Sequence, residues 1–282
     1  MNEYPLSSGP GSQPGERDGA DLDILQMPSG MATYAQPYLP EPEEVVGLDQ
    51  GLSLLWQLCR QLQAFHSDAP PEPIDLGGLD QANRTLVDQV LGEGEVSIVL
   101  DGAERACIQE SVLAGVWRLQ QRDEAGNLIE DRIEIGPIPR EVAFRTFDGA
   151  RDQAVLPEPL PPGVLNAPPL FAEINEYCCN YQQGDPSHVI NLTLLPQTEE
   201  DLGFLQQQLG PGRVCILSRG YGNCRISSSG TRNVWWVQYF NSQDRNILNS
   251  LEITGVPSVA CAAPEDLADS AERLAEILEI YG

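Results

Sequence analysis

Leu91-Gly92-Glu93-Gly94-Glu95-Val96 returns 118 residues later as Leu209-Gly210-Pro211-Gly212-Arg213-Val214. Without a gap, Ile98 then falls on Ile216, Gly102 on Gly220, Ile108 on Ile226 and Val116-Trp117 on Val234-Trp235. Glu134-Ile135 falls on Glu252-Ile253 and Pro139 on Pro257, giving 15 identities in 49 positions. Ordinary amino-acid usage gives about three by chance. Self-similarity at a fixed spacing marks a duplicated structural unit, and two copies are too few for a solenoid. The expectation is an α+β fold of two tandem pseudo-symmetric α+β repeats, with mixed or antiparallel sheets, flanking helices and an approximate twofold between two similar sheets.

Residues 1–42 are rich in Gly, Pro, Ser and acids, a composition that predicts a disordered acidic tail. Within it, residues 22–28 form a short apolar stretch that reads as a tail segment touching its own domain or as a docking segment. The first repeat with its leading helix is expected over 43–155. Leu48, Leu52, Leu55, Leu58 or Cys59, and Leu62 recur at helical spacing. A short strand at 74–76, a helix over 80–91, four strands and a helix near 140–147 follow. A Pro-rich linker fills 156–168 and the second repeat 169–282, where Ile190-Asn191-Leu192 echoes Ile74-Asp75-Leu76. Pro264, followed by Glu265 and Asp266, opens a C-terminal helix.

The copies differ in charge. Residues 202–243 contain no Asp or Glu but carry Arg213, Arg219, Arg225 and Arg232, whereas residues 84–124 hold eight acids. The net charge of the chain is −26, which disfavours nucleic acid and anionic bilayers as partners. All sixteen cationic residues are arginines. The absence of lysine excludes a Walker-type phosphate loop and Schiff-base chemistry. No apolar run is long enough to span a membrane. The start, Met1-Asn2-Glu3-Tyr4-Pro5, has neither the basic nor the apolar region of a signal peptide, so a cytoplasmic protein with reduced thiols is expected.

Catalytic and metal chemistry find little support. His66 and His188 are the two histidines, and no nucleophile elbow or His-Glu-x-x-His motif is present. The seven cysteines lack ligand spacing. Cys178-Cys179 point apart on a helix, and Cys215 and Cys224 fall on neighbouring strands as free thiols or a facing pair. We therefore expect no catalytic residues, no cofactor, no stable metal and no enzyme. The specialised feature is Gly220-Tyr221-Gly222-Asn223-Cys224-Arg225, whose counterpart is the plain Gly102-Ala103-Glu104-Arg105-Ala106. Tyr and Arg anchor interfaces, so Tyr221, Gly220, Gly222, Arg225, Arg232, Trp236 and His188 form the expected partner-binding set. Trp235 matches Trp117 and belongs to the core; Trp236, in the place of Arg118, is expected as an exposed ring. The competing reading pairs the arginines with acids of the first copy.

His188-Val189-Ile190-Asn191-Leu192-Thr193, Leu209-Gly210-Pro211-Gly212, Gly220-Tyr221-Gly222 and Val234-Trp235 resemble the hydrogenase expression/formation proteins of the HupH/HyaF/HoxQ type. Residues 91–96 and Ala263-Pro264-Glu265-Asp266-Leu267 fit the same pattern, so the resemblance covers about 74–281. It implies an accessory, chaperone-like protein in maturation of a bacterial [NiFe]-hydrogenase. The implied client is the iron–sulfur small subunit precursor before export, with a thioredoxin-like companion of the HyaE/HoxO type. The acidic surface suits a basic signal region of such a client. The alternatives are an iron–sulfur or redox carrier, or an enzyme on a small anionic ligand gripped by Arg219, Arg225 and Arg232.

Overall fold

The computed structural model describes residues 39–282 except Asp68, Ala103 and Tyr221; the 22–28 stretch lies outside the described residues. The chain runs α1 (Asp49–Gln63), β1 (Ile74–Asp75), α2 (Gln81–Leu91), β2 (Val96–Leu100), β3 (Arg105–Glu110), β4 (Val116–Arg122), β5 (Leu128–Ile135) and α3 (Arg140–Arg145). It continues α4 (Pro168–Asn180), β6 (His188–Asn191), α5 (Glu199–Leu209), β7 (Pro211–Ser218), β8 (Asn223–Ser229), β9 (Val234–Phe240), β10 (Asn246–Ile253) and α6 (Pro264–Glu279).

The fold is α+β, and the expectation of two separate sheets is corrected. The strands make one ten-stranded sheet in the order β1-β5-β4-β3-β2-β7-β8-β9-β10-β6, with antiparallel neighbours throughout. The join is β2 against β7, where Ile98 faces Ile216, Val96 faces Ser218 and Leu100 faces Val214. All five residues of β2 are buried. Left as an edge, such a strand offers an apolar template for aggregation. Edge-to-edge pairing removes two such edges at once. The true edges are short, two residues in β1 and four in β6.

Positions 118 apart do the same local work. Trp117 Nε1 donates to Gly136 O at 2.8 Å and Trp235 Nε1 to Thr254 O at 3.2 Å. Ser111 Oγ donates to Leu113 O, and Ser229 Oγ to Thr231 O. The β4–β5 register shifts between Gln121 and Arg122, and the β9–β10 register between Leu248 and Asn246. Gly115 and Gly126 have φ of +78° and +85°; their counterparts Asn233 and Asp244 have +63° and +57°. Asn and Asp are the side chains that tolerate this region best after Gly.

Helix starts are tied down in parallel ways. Asp80 caps α2 and Thr198 caps α5. Three residues on, Asn83 Oδ1 accepts Gly51 N–H at 2.8 Å near the start of α1. Asp201 Oδ1 accepts the N–H groups of Leu165, Asn166 and Ala167 at 2.8, 2.9 and 3.0 Å, just before α4. These bonds to the charged form hold the Asp201 carboxyl down to about 2, against the desolvation that opposes it.

Three cores result. On one face, α1, α2 and α6 pack over β1, β4 and β5; Leu267, Ala271, Leu274 and Leu278 supply the α6 stripe. On the same face, α4 and α5 pack over β9, β10 and β6. The opposite face buries the isoleucine row of the central strands with Trp117 and Trp235, under α3 and the 256–260 segment. Phe147 meets the Trp235 ring edge-on at 5.5 Å.

One set of four matched positions differs. Under α2, Arg118 bonds Asp131 at 2.9 and 3.0 Å and also Asp88, while Arg84 joins Asp131 and Leu76 O. At the matched positions under α5 stand Trp236, Asn249, Gln206 and Leu202, with Trp236 Nε1 donating to Asn249 Oδ1. An ionic cluster in one half is thus an indole–amide pair in the other.

Asp201→Ala removes the acceptor shared by three backbone N–H groups and the Thr198 capping box. The expected loss is about 2–4 kcal/mol, read as a drop in denaturation midpoint. Because the folded carboxyl titrates below its unfolded value, this contribution is full above about pH 4 and fades as pH falls toward about 2. Acid titration of wild type against the variant checks the window.

Candidate partner-binding surface

The β7–β8 hairpin builds the surface that the sequence singled out. Ser218 faces Cys224 and Leu217 faces Arg225, leaving residues 219–222 as the turn. Gly222 has φ of +101°, a conformation that side-chain-bearing residues rarely adopt. Gly220 is crowded by a side chain, the flexible end of Glu95, which would have to move aside for a larger residue. A Cβ there would lie 2.2 Å from Glu95 Oε2. The matched Gly102 is crowded in the same way by Arg213 Nη2, also at 2.2 Å. Glu95 and Arg213 are themselves 118 apart, so each half presses one charge, of opposite sign, against the other half's turn glycine.

Arg219 is tied to this turn through its N–H, which donates to Glu95 O at 3.2 Å. Arg225 lies on β8 opposite Gln238, and its guanidinium carbon stands 5.6 Å from the centre of the Phe240 ring. Such a cation–π contact holds an arginine over an aromatic face. Phe240 was not singled out from the sequence; the signal was its place at the end of the Val234-Trp235-Trp236-Val237-Gln238-Tyr239-Phe240 strand, across from the Gly220 turn. Tyr221 lies outside the described residues.

The remaining expected residues do not converge here. Arg232 sits in the turn beyond the far end of β8, exposed, with Nε 2.9 Å from Asp152 Oδ1. Arg213 reaches Asp148 at 3.8 Å and Asp101 O at 2.9 Å. At these two arginines, pairing with acids from the first part of the chain is what the structure shows. His188 is on the edge strand β6, stacked on Tyr177 at 3.3 Å, with Nε2 2.8 Å from Glu173 Oε1. The grip on one small anion by Arg219, Arg225 and Arg232 is likewise not formed, since β8 separates Arg232 from the other two.

Trp236 is a correction. It is 6% exposed, within the α4–α5 core. Alternation placed it on the face opposite Trp235, as expected, but that face is covered by α5. Of the two readings of Cys215 and Cys224, the structure agrees with free thiols and not with a facing pair. Cys215 faces Ser227 while Cys224 faces Ser218, so the two thiols point to opposite faces. Burial pushes the Cys224 and Cys178 thiols up to about 12 and raises Cys215 as well, keeping them protonated at neutral pH. Among the described residues no group of three His, Cys, Asp or Glu side chains is arranged to hold a metal, and no helix is long and apolar enough to cross a membrane.

Beside the hairpin lies a buried carboxyl that the sequence reading passed over. Glu110, 7% exposed, accepts Gly115 N–H at 3.1 Å. Desolvation, with Glu95 and Asp266 adding repulsion, pushes it up to about 7.

Comparison with known proteins places these features in a family. The family model for the C-terminal conserved region of the HupH hydrogenase expression protein matches twice, over residues 49–158 and 164–281. The hydrogenase expression/formation protein HoxQ of Cupriavidus necator is 46% identical, over 100% of this chain and 99% of the relative. HupH of Rhodobacter capsulatus is 46% identical over 98% and 96%, and the hydrogenase-1 operon protein HyaF of Escherichia coli 34% identical over 96% and 94%. A solved structure of HupH from Thiobacillus denitrificans aligns with 29% identity and a TM-score of 0.37, covering 40% of this chain and 93% of that one. The chain belongs to the HupH hydrogenase expression protein family.

Two outcomes follow from the burial. Trp236→Ala is expected to cost about 3–5 kcal/mol as a core truncation, visible as a lowered melting temperature. Glu110, with its folded value raised, binds a proton more tightly folded than unfolded, so stability falls as pH rises from about 4.5 through about 7. Glu110→Gln removes that loss and is expected to be the more stable form at pH 8, by on the order of 2–3 kcal/mol, in urea melts at pH 5 and pH 8.

Proposed function

We propose that this chain is a non-enzymatic accessory factor of hydrogenase formation, a cytoplasmic, chaperone-like protein that binds the iron–sulfur small subunit precursor before export. Supporting the general role, relatives along nearly the whole chain carry the names of hydrogenase expression and formation proteins. In this reading the two halves are tandem pseudo-symmetric copies of one duplicated unit. A thioredoxin-like protein of the HyaE/HoxO type acts beside it. The first half keeps the acidic exterior and the second supplies the client-facing surface.

The observation that carries the reading is the hairpin end of the second half. Arg219, Gly220, Gly222 and Arg225 over Phe240 lie in a stretch of 42 residues without a single acid, on a chain of net charge −26. A strongly acidic molecule that keeps one stretch of its chain free of acids and mounts arginine on an aromatic ring there has the composition of an interface anchor. Tyr221 stands between the two glycines in sequence and joins the proposal on that ground. His188 and Arg232, anchored locally at other places on the sheet, are at most peripheral to it.

The test is capture of the tagged small subunit precursor from cells expressing the hydrogenase operon. Arg225→Ala and Tyr221→Ala are each expected to weaken capture about thirtyfold, the equivalent of about 2 kcal/mol for an anchor residue. Arg232→Ala, remote from the hairpin, is expected to leave capture unchanged. Full capture by both hairpin variants with an unaltered melting temperature rules this surface out.

A further inference from the structure

The end of α6 and the start of the described chain meet at one corner. The Tyr281 hydroxyl donates to Pro40 O at 3.0 Å, and Val45 packs with Ile277 and Leu278 in the core shared by α1, α2 and α6. Around that contact three large apolar side chains face solvent: Leu39 at 36% exposed, Val46 at 81% and Ile280 at 59%. Val46 is the most exposed large apolar residue among the described residues. Gly47, with φ of +88°, turns the chain directly after it toward α1. Single apolar residues scattered over a surface are ordinary, whereas several at one place mark a binding surface.

The same corner is anionic throughout. Residues 39–59 and 274–282, which build it, contain Glu41, Glu43, Glu44, Asp49, Glu276 and Glu279 and no Arg, Lys or His. Burial, with Glu41 and Glu44 adding repulsion, raises the Tyr281 phenol, which places both acids beside it. Elsewhere in the first half acids are answered from within the chain. Arg132 meets Glu130, Glu134 and Glu141, and Arg118 meets Asp88 and Asp131. Among the described residues none of the six corner acids has an ion-pair partner.

We propose that this corner docks a basic, apolar segment of another protein, one that sets arginine or lysine beside leucine-like side chains. Charge decides among the candidates to cover it. Residues 1–38 of this chain hold Glu3, Glu16, Asp18, Asp21 and Asp23 against one cationic side chain, Arg17, so like charges oppose their return to the corner. A second copy brings the same acids, on a chain of net charge −26. A cationic segment is attracted by the corner acids and gains apolar burial against Leu39, Val46 and Ile280. The corner belongs to the flank packed over β1, β4 and β5, so its occupation is independent of client capture at the β7–β8 hairpin.

The probe is a fluorescein-labelled peptide, Arg-Leu-Ala-Arg-Leu-Leu-Arg-Ala-Leu, titrated with the full chain and read by anisotropy near physiological ionic strength. Val46→Ser with Ile280→Ser is expected to weaken binding about tenfold. Glu43→Gln with Glu279→Gln is expected to weaken it about fivefold. Glu124→Gln with Glu176→Gln, the same change of net charge at exposed acids elsewhere, is expected to leave it within about twofold. Melting temperatures stay at the wild-type value, because these side chains are exposed. Equal weakening by the two glutamine pairs overturns the proposal, by showing attraction to the net charge alone, and so does full binding by the serine pair. Absence of binding to wild type overturns it too; if Leu22→Ser, Ile24→Ser and Leu25→Ser together then confer binding, residues 22–25 are what covers the corner. A wild-type dimer that the serine pair converts to monomer likewise overturns it, by placing a second copy there.

Discussion

The pairing of β2 with β7 is the contact on which the rest of the molecule depends. It joins Ile98 to Ile216, residues that match each other in the 118-residue shift, and it runs antiparallel. An antiparallel pair of matched strands centred on matched residues places every later strand of one half opposite its counterpart in the other. The order β5-β4-β3-β2 is thereby continued as β7-β8-β9-β10. Two apolar edges disappear into one ladder, and the isoleucine row on either side of the join becomes a single core. The charge contacts across the join, Glu95 at Gly220 and Arg213 at Gly102, follow from the same register.

Given that frame, the two halves solve one packing problem in two chemistries. Below α2, Arg84, Asp88, Arg118 and Asp131 satisfy one another where the Asp131 side chain is 2% exposed. Below α5 the same four places hold Leu202, Gln206, Trp236 and Asn249. A buried ionic cluster is costly to break from one side, because removal of one member strands the others. An indole bonded to an amide draws instead on apolar burial. The exchange also redistributes charge. Two arginines are kept inside one half, while the arginines of the other half are carried on strands and turns, where Arg225 and Arg219 flank the hairpin.

The candidate surface was legible in the sequence only as a region. The acid-free stretch and the Gly220-Tyr221-Gly222 turn were visible as one-dimensional features, and the structure places Arg219 and Arg225 at that turn. Trp236 was misread because alternation assigns a face but not what lies on it; α5 covers that face, and it takes a contact between elements some thirty residues apart to know so. Arg232 was grouped with Arg225 by proximity in sequence, yet Arg225 lies near the start of β8 and Arg232 in the turn beyond its other end. Phe240, which carries Arg225, is fifteen residues away along the chain and adjacent only through the β8–β9 register.

By itself the sequence determined the internal correspondence, the α+β class, the positions of most helices and strands, and the uneven charge of the two halves. These depend on local periodicity, turn residues and composition, which each stretch carries with it. The tertiary structure alone decided that there is one sheet and not two, that Trp236 is buried, and that Cys215 and Cys224 face apart. Each of these depends on a register or a packing between segments far apart in the chain. Hydrophobic patterning says that a strand such as β2 must be covered on both faces and paired, but it does not name the partner. The partner is set by which of the available edges removes the most exposed backbone and apolar surface at once, and that choice exists only in three dimensions.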